Sequence, residues 1–175
     1  MAEKVSVMIS EEEVNKRIQE MADELSAKYA GKSIHLIGIL KGSVFFMCEL
    51  AKRITVPVTL DFLEVSSYGD STSSSGRVKF IKDLDESIEG KDVVVVEDIL
   101  DSGRTLSYVA KILKEREPKT FSIITLLDKP DRRVVDVSLD MTGFTIPDKF
   151  VVGYGLDYAQ RYRNLPYIGV IEFLD

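Results

Sequence analysis

Apolar positions follow two rhythms along the chain: a helical one near its start, and short unbroken runs further on. Val14, Ile18, Met21 and Leu25 recur at intervals of four, three and four, which lines one side of a helix. Ser10 with Glu13 three residues later opens that helix as a capping box, and its apolar face reads as packing surface. The run SIHLIGIL, residues 33–40, is apolar without alternation and short enough for a buried strand. Lys41-Gly42-Ser43 ends it, and SVFFMCELAKRI, residues 43–54, predicts a helix. A second β-rich stretch covers 56–65, and RVKFI at 77–81 alternates as an exposed hairpin strand does. Between them, residues 66–76 (SSYGDSTSSSG) are small and polar, which suits a flexible connector and a mobile lid equally.

The clearest element is DVVVVED, residues 92–98, whose four consecutive valines ask for cover on both faces, as in a parallel sheet. An amphipathic helix, LSYVAKILKERE, follows, and then a strand at 120–127. Strand, helix, strand is a βαβ unit, so the fold class is α/β, with a mostly parallel twisted sheet flanked by helices. From Val134 onward the chain is strand-like and rich in turns, with FVVGYG and YIGVIEF as its apolar pieces. No repeat, linker or compositional break interrupts residues 1–175, which predicts a single domain.

Composition narrows the function classes. Apolar residues make up 45% and charged residues 30%, an ordinary globular balance. No apolar run approaches the ~20 residues of a membrane span, and the opening MAEKVSVMISEEE carries acids where a signal peptide needs an apolar stretch. The expected compartment is the cytoplasm. With 29 acids against 23 bases the formal charge is −6, which speaks against a nucleic-acid backbone binder. Cys48 is the only cysteine and His35 the only histidine, leaving no disulfide, no cysteine-based zinc site and no histidine dyad. His35 sits inside an apolar strand and reads as structural. Gly31-Lys32-Ser33 looks like the end of a P-loop, but the required first glycine is Ser26 and the order of elements is reversed. Gly153 and Gly155 begin a dinucleotide fingerprint that Tyr158 breaks.

Chemistry concentrates in VVVVEDILDSGRT, residues 93–105. A buried strand ends in Glu97 and Asp98, and a short loop with Asp101, Ser102, Gly103, Arg104 and Thr105 then enters a helix. In open α/β sheets ligands bind outside the carboxyl ends of the strands, where this loop lies. Small residues opening a helix offer amides and hydroxyls to a phosphate. The two acids would repel that phosphate unless they face something else, and a sugar diol or a hydrated magnesium ion suits them. The local physics therefore asks for a ribose 5-phosphate.

The run from Val94 to Thr105 resembles the phosphoribosyl-pyrophosphate (PRPP) motif of the type I phosphoribosyltransferases. Leu40-Lys41-Gly42, Ser67-Tyr68-Gly69, Leu127-Asp128-Lys129, and PDKFVVGYGLD at 147–157 leading to Arg163 are similar to the short bacterial hypoxanthine-guanine phosphoribosyltransferases. The resemblance spans nearly the whole chain. It implies the type I phosphoribosyltransferase fold, with a small hood formed by the N- and C-terminal segments and a lid around 66–76. It also implies purine salvage: a pentosyltransferase that moves 5-phosphoribose from PRPP to hypoxanthine or guanine, giving IMP or GMP and pyrophosphate.

Roles follow from the same resemblance. Glu97 and Asp98 would bind the ribose hydroxyls and help hold magnesium (Mg2+), and Asp157, at the end of the purine-binding loop, would hold a second magnesium. Asp101, Ser102, Gly103, Arg104 and Thr105 would cradle the 5-phosphate, and Asp101 would exchange a proton with purine N7. Lys41 and Gly42, through a strained backbone, and Arg163 would bind pyrophosphate, with Ser67 and Tyr68 heading the lid. Lys129 would donate to purine O6, Phe150 would stack on the base, Val151 would use its backbone, and Lys149 would be a structural contact nearby. Without the resemblance Lys129 reads as a turn lysine, Phe150 as a core aromatic and Arg163 as a charge on a polar turn. A homodimer or homotetramer is implied, with the helix at 43–54 as a possible interface; no nucleic acid or membrane partner is expected. The alternative is a related nucleotide-sensing regulator that binds nucleic acid, for which a basic face would be expected. A third reading changes the base to xanthine, adenine or a pyrimidine, and Lys129 disfavours adenine.

Overall fold

The computed structural model describes residues 2–67 and 78–174. The four valines explain its architecture. In β5 (Asp92–Leu100), Val94 and Val96 point into one apolar cluster and Val93 and Val95 into another, because successive side chains of a strand leave opposite faces. The first cluster is completed by α1 (Glu11–Lys28) and α2 (Val44–Arg53), the second by α3 (Arg104–Glu115). All four valines are fully buried, each worth about 1.5–3 kcal/mol relative to exposure.

Around β5 the main sheet adds β2 (Ile34–Leu40), β3 (Val58–Ser67), β4 (Val78–Lys82), β6 (Thr120–Asp128) and β7 (Met141–Thr145), in the order β4-β3-β2-β5-β6-β7. All neighbours are parallel except the β3-β4 hairpin. Parallel pairing brings the carboxyl ends of β2, β5 and β6 to one edge. A second, antiparallel sheet of β1 (Ala2–Ile9), β9 (Ile168–Leu174) and β8 (Val151–Val152) joins the two ends of the chain. It is the hood. Ile9, Val151, Tyr154 and Ile168 carry it into the core shared with α1 and α2.

The expected elements form with shifted ends. β5 runs two residues past Asp98, and α3 starts at Arg104 rather than at Leu106, which draws Arg104 and Thr105 into its first turn. The acidic opening segment, without a strand assignment in the sequence pattern, is β1, ordered by its pairing with β9. His35 is buried in β2 with Nδ1 2.7 Å from Thr59 Oγ1. Burial pushes its pKa below 6.5, as befits a neutral structural histidine. Among the described residues, no helix is long and apolar enough to cross a membrane.

The capping box at the start of α1 is present, with Glu13 N donating to Ser10 Oγ at 3.2 Å and Ser10 N to Glu13 Oε1 at 3.3 Å. Ser10→Ala should cost about 1 kcal/mol and lower the calorimetric midpoint by about 2–4 °C, with turnover unchanged.

Candidate active site at the carboxyl ends of β2, β5 and β6

Three backbone segments meet above the sheet edge. After β2 the Leu40–Lys41 peptide is cis, Lys41 is exposed, and Gly42 lies against the Asp98 carboxylate. A side chain at Gly42 would collide with that carboxylate, and one at Gly155 (φ +101°) with the Gly42 carbonyl oxygen. Only glycine permits this closeness, and at Gly155 only glycine adopts the left-handed backbone without strain. Arg163 fastens the third segment. Its Nη1 donates to the Gly155 carbonyl at 2.7 Å, while Nη2 lies 3.3 Å from Asp157 Oδ1 and donates to Gln160 Oε1 at 3.1 Å. Arg163 Nε is buried with no hydrogen-bond partner, and Asp157 Oδ2 accepts from Gln160 N at 2.8 Å.

Glu97 and Asp98 follow the four buried valines of β5 and are themselves half-buried. Asp98 N donates to Glu97 Oε1 at 3.0 Å, and Ile99 N to Asp98 Oδ1 at 2.7 Å. Burial, and then the neighbouring Asp98 charge, holds Glu97 well above its ordinary 4.5; burial also raises Asp98, although the Arg163 charge pulls the other way. Two desolvated carboxylates side by side invite hydroxyl donors or a cation. Among the described residues no three His, Cys, Asp or Glu side chains converge on a metal site. Magnesium fits the pair on its usual terms, with one or two carboxylates from the protein and the other ligands from substrate oxygens and water.

The loop beyond is shaped by Gly103, which has φ +83° and leaves no room for a side chain beneath the Val135 carbonyl. Val134 N and Val135 N donate to the Ser102 carbonyl at 2.9 and 3.0 Å, which fixes the loop from above. Gly103 is the N-cap of α3 and supplies no side-chain acceptor to its first turn. Such a turn is satisfied by an anion, here with Ser102, Arg104 and Thr105 beside it. Asp101 Oδ1 is buried without a hydrogen-bond partner, and the nearest cation, Arg132 Nε, stands 3.6 Å away.

Lys129 and Phe150 invert the environments that their residue types alone suggest. Lys129 is 7% exposed, with Nζ donating to the Lys149 carbonyl at 2.8 Å. It follows β6 directly and is drawn inward by its amide, which donates to the Leu100 carbonyl at 3.0 Å. Phe150 is 49% exposed and meets Tyr158 and Phe173 in edge-to-face contacts. Val151 is buried in β8, paired with Val170. Lys149 contributes its carbonyl, not its ammonium, to the contact with Lys129. Ser67 is exposed at the end of β3; Tyr68 and the rest of the expected lid lie outside the described residues. The sequence reading gave no role to Arg133, which the structure sets between the Asp101 and Asp128 segments.

Glu97 binds its proton more tightly in the folded chain than in the unfolded one. Stability of the ligand-free protein from this group is therefore present at low pH and is lost as pH rises from the ordinary carboxylate range through the raised one. Glu97→Gln should flatten that decline and raise the calorimetric midpoint at neutral pH; an unchanged profile would remove the desolvated pair from the account.

Comparison with known proteins fits this geometry. Residues 9–159 match the family model described as the phosphoribosyl transferase domain. The hypoxanthine-guanine phosphoribosyltransferase of Bacillus subtilis is 54% identical, over 95% of this chain and 92% of its own. The hypoxanthine phosphoribosyltransferase of Salmonella typhimurium is 53% identical, over 100% and 99%. A crystal structure of a hypoxanthine phosphoribosyltransferase from Staphylococcus aureus superposes with a TM-score of 0.92 at 48% identity, covering 95% of this chain and 91% of that one.

Proposed function

The chain belongs to the hypoxanthine-guanine phosphoribosyltransferases of the phosphoribosyl transferase domain family, and on that premise we propose that it moves 5-phosphoribose from PRPP to hypoxanthine or guanine. The products are IMP or GMP and pyrophosphate. One observation carries the reading: a half-buried acid pair leads, within one short loop, into a helix start whose N-cap, Gly103, gives no side-chain hydrogen bond. That order suits a ligand that carries hydroxyls beside a phosphate. None of the relatives compared supports the nucleic-acid-binding regulator.

In this assignment the amides and hydroxyls of residues 101–105 hold the 5-phosphate, and Glu97 and Asp98 accept the ribose hydroxyls. Lys41, Gly42 and Arg163 face the pyrophosphate, and the unpartnered Arg163 Nε is a spare donor for it. Phe150 stacks on the base and Val151 meets its edge through the backbone. Lys129 spends one of its three donors on Lys149 and keeps the others for purine O6. Adenine offers an amino group there and is refused.

Transfer proceeds as purine N9 bonds to the anomeric carbon while the bond to pyrophosphate breaks, through an oxocarbenium-like state. The ring must lose a proton, and Asp101 accepts it from N7, directly or through a water. The Asp101 side chain is 46% exposed, so its carboxylate can be reached by a bound base. When bound, magnesium would supply charge neutralisation for the departing pyrophosphate; Glu97 and Asp98 would hold one ion and Asp157 a second. Exposed Phe45 and Cys48 on α2 offer the face for a homodimer or homotetramer.

The test is turnover with PRPP and magnesium against hypoxanthine, guanine, xanthine, adenine and uracil in parallel. Hypoxanthine or guanine should react while adenine and uracil stay silent; no turnover of any base would overturn the reading. Asp101→Asn should keep PRPP binding and lower turnover by ~10²–10⁴, and unchanged turnover would take Asp101 out of the mechanism. Lys129→Ala should narrow the kcat/KM gap between hypoxanthine and adenine, and an undiminished gap would place 6-oxo selection elsewhere.

A further inference from the structure

We propose that Arg133 and Asp128 are positioning residues that hold Asp101 and Lys129 at the spacing of purine N7 and O6. Resting on the roles just assigned to Asp101 and Lys129, the inference adds what keeps them in register. N7 and O6 share one edge of the base, so proton exchange at one and recognition at the other succeed together only if the two loops cannot slide apart.

The geometry is a strut across those loops. Arg133 Nε donates to the Asp101 carbonyl at 3.0 Å, and Arg133 Nη2 pairs with Asp128 Oδ1. Asp101 is the first residue after β5; Asp128 is the last of β6 and the neighbour of Lys129. Both side chains of the pair are 18% exposed, so the contact is charge-assisted and weakly screened. Arg133 Cδ also lies close against Gly103, inside the phosphate loop. From Asp128 the tie continues: its carbonyl accepts from Ile146 N at 2.8 Å, at the start of the segment whose Lys149 carbonyl holds the Lys129 ammonium.

Neighbouring Arg132 does not share this role. It is 58% exposed and stands 3.6 Å from Asp101 Oδ1 and 3.9 Å from Asp148 Oδ1, a screened surface arrangement of small energetic worth. A purely architectural Arg133–Asp128 pair would affect folding and leave the chemistry of Asp101 alone. A positioning pair acts through Asp101, and only a double-substitution experiment separates the two.

The experiment uses the full chain with Arg133→Gln and Asp128→Asn, each made alone and in an Asp101→Asn background. It measures kcat and KM for hypoxanthine, and PRPP affinity by calorimetry. Each single substitution should lower kcat by about 10–100-fold, the usual result of a small misplacement of a reacting group, with PRPP affinity nearly unchanged. In the Asp101→Asn background the same substitutions should cost far less, since the group they align is gone. Equal fold losses in both backgrounds overturn the positioning role while leaving Asp101 as the acid/base group. An Asp101→Asn variant as fast as the parent overturns the underlying reading and this inference with it. Asp128→Asn preserves side-chain shape and an acceptor, so it decides the matter should Arg133→Gln fail to fold.

Discussion

Two carboxylates that water cannot fully solvate follow the four fully buried valines of β5, and the site is arranged around them. Desolvating an ion costs several kcal/mol even after relaxation, and the adjacent Asp98 charge adds to the cost of ionising Glu97. A core does not need such a pair. Its position after four fully buried valines makes it tolerable, because the strand beneath is held from both faces and cannot rearrange to free the acids. The same rigidity gives the acids fixed positions from which to receive a sugar and a cation.

The surrounding geometry follows from that constraint. Gly42 packs on the Asp98 carboxylate, Gly155 packs on Gly42, and Arg163 ties Gly155 and Asp157 together while lending Asp98 its positive field. Each contact presumes the one beneath it. On the opposite side of β5 the loop of residues 101–103 is fixed by Val134, Val135 and Arg133, and Lys129 is turned inward to meet the Lys149 carbonyl. The segments proposed for pyrophosphate, ribose, phosphate and purine thus follow β2, β5 and β6 at one sheet edge.

How much of this was legible in the sequence depended on how local its cause is. The valine run, the capping box and the amphipathic helix after Leu106 declare themselves by period and by neighbouring residues, and all three form. The acid pair and the loop at 101–105 stood out for the same reason, since the segment is contiguous. β1 was not, because an exposed edge ribbon needs β9, over 150 residues away, to become a strand. Lys129 and Phe150 were mistakable for a turn lysine and a core aromatic. Their burial and exposure are set by distant partners, Leu100 and Lys149 in one case, Tyr158 and Phe173 in the other. Arg133 is the extreme case: two adjacent arginines after a proline look alike on paper, and only the fold sends one inward to Asp128 and leaves the other in water.

The acid pair is the centre of this account, and carboxyl-carbon NMR observes it directly. Glu97 and Asp98 should be titrated in the ligand-free protein and again with PRPP and magnesium added. At least one of them should keep its proton above the usual carboxylate range in the free protein and lose it when the ligands arrive, as hydroxyl donors and positive charge stabilise the ionised pair. Two carboxylates that titrate in the ordinary range, indifferent to PRPP and magnesium, would contradict the claim that the site is organised around them.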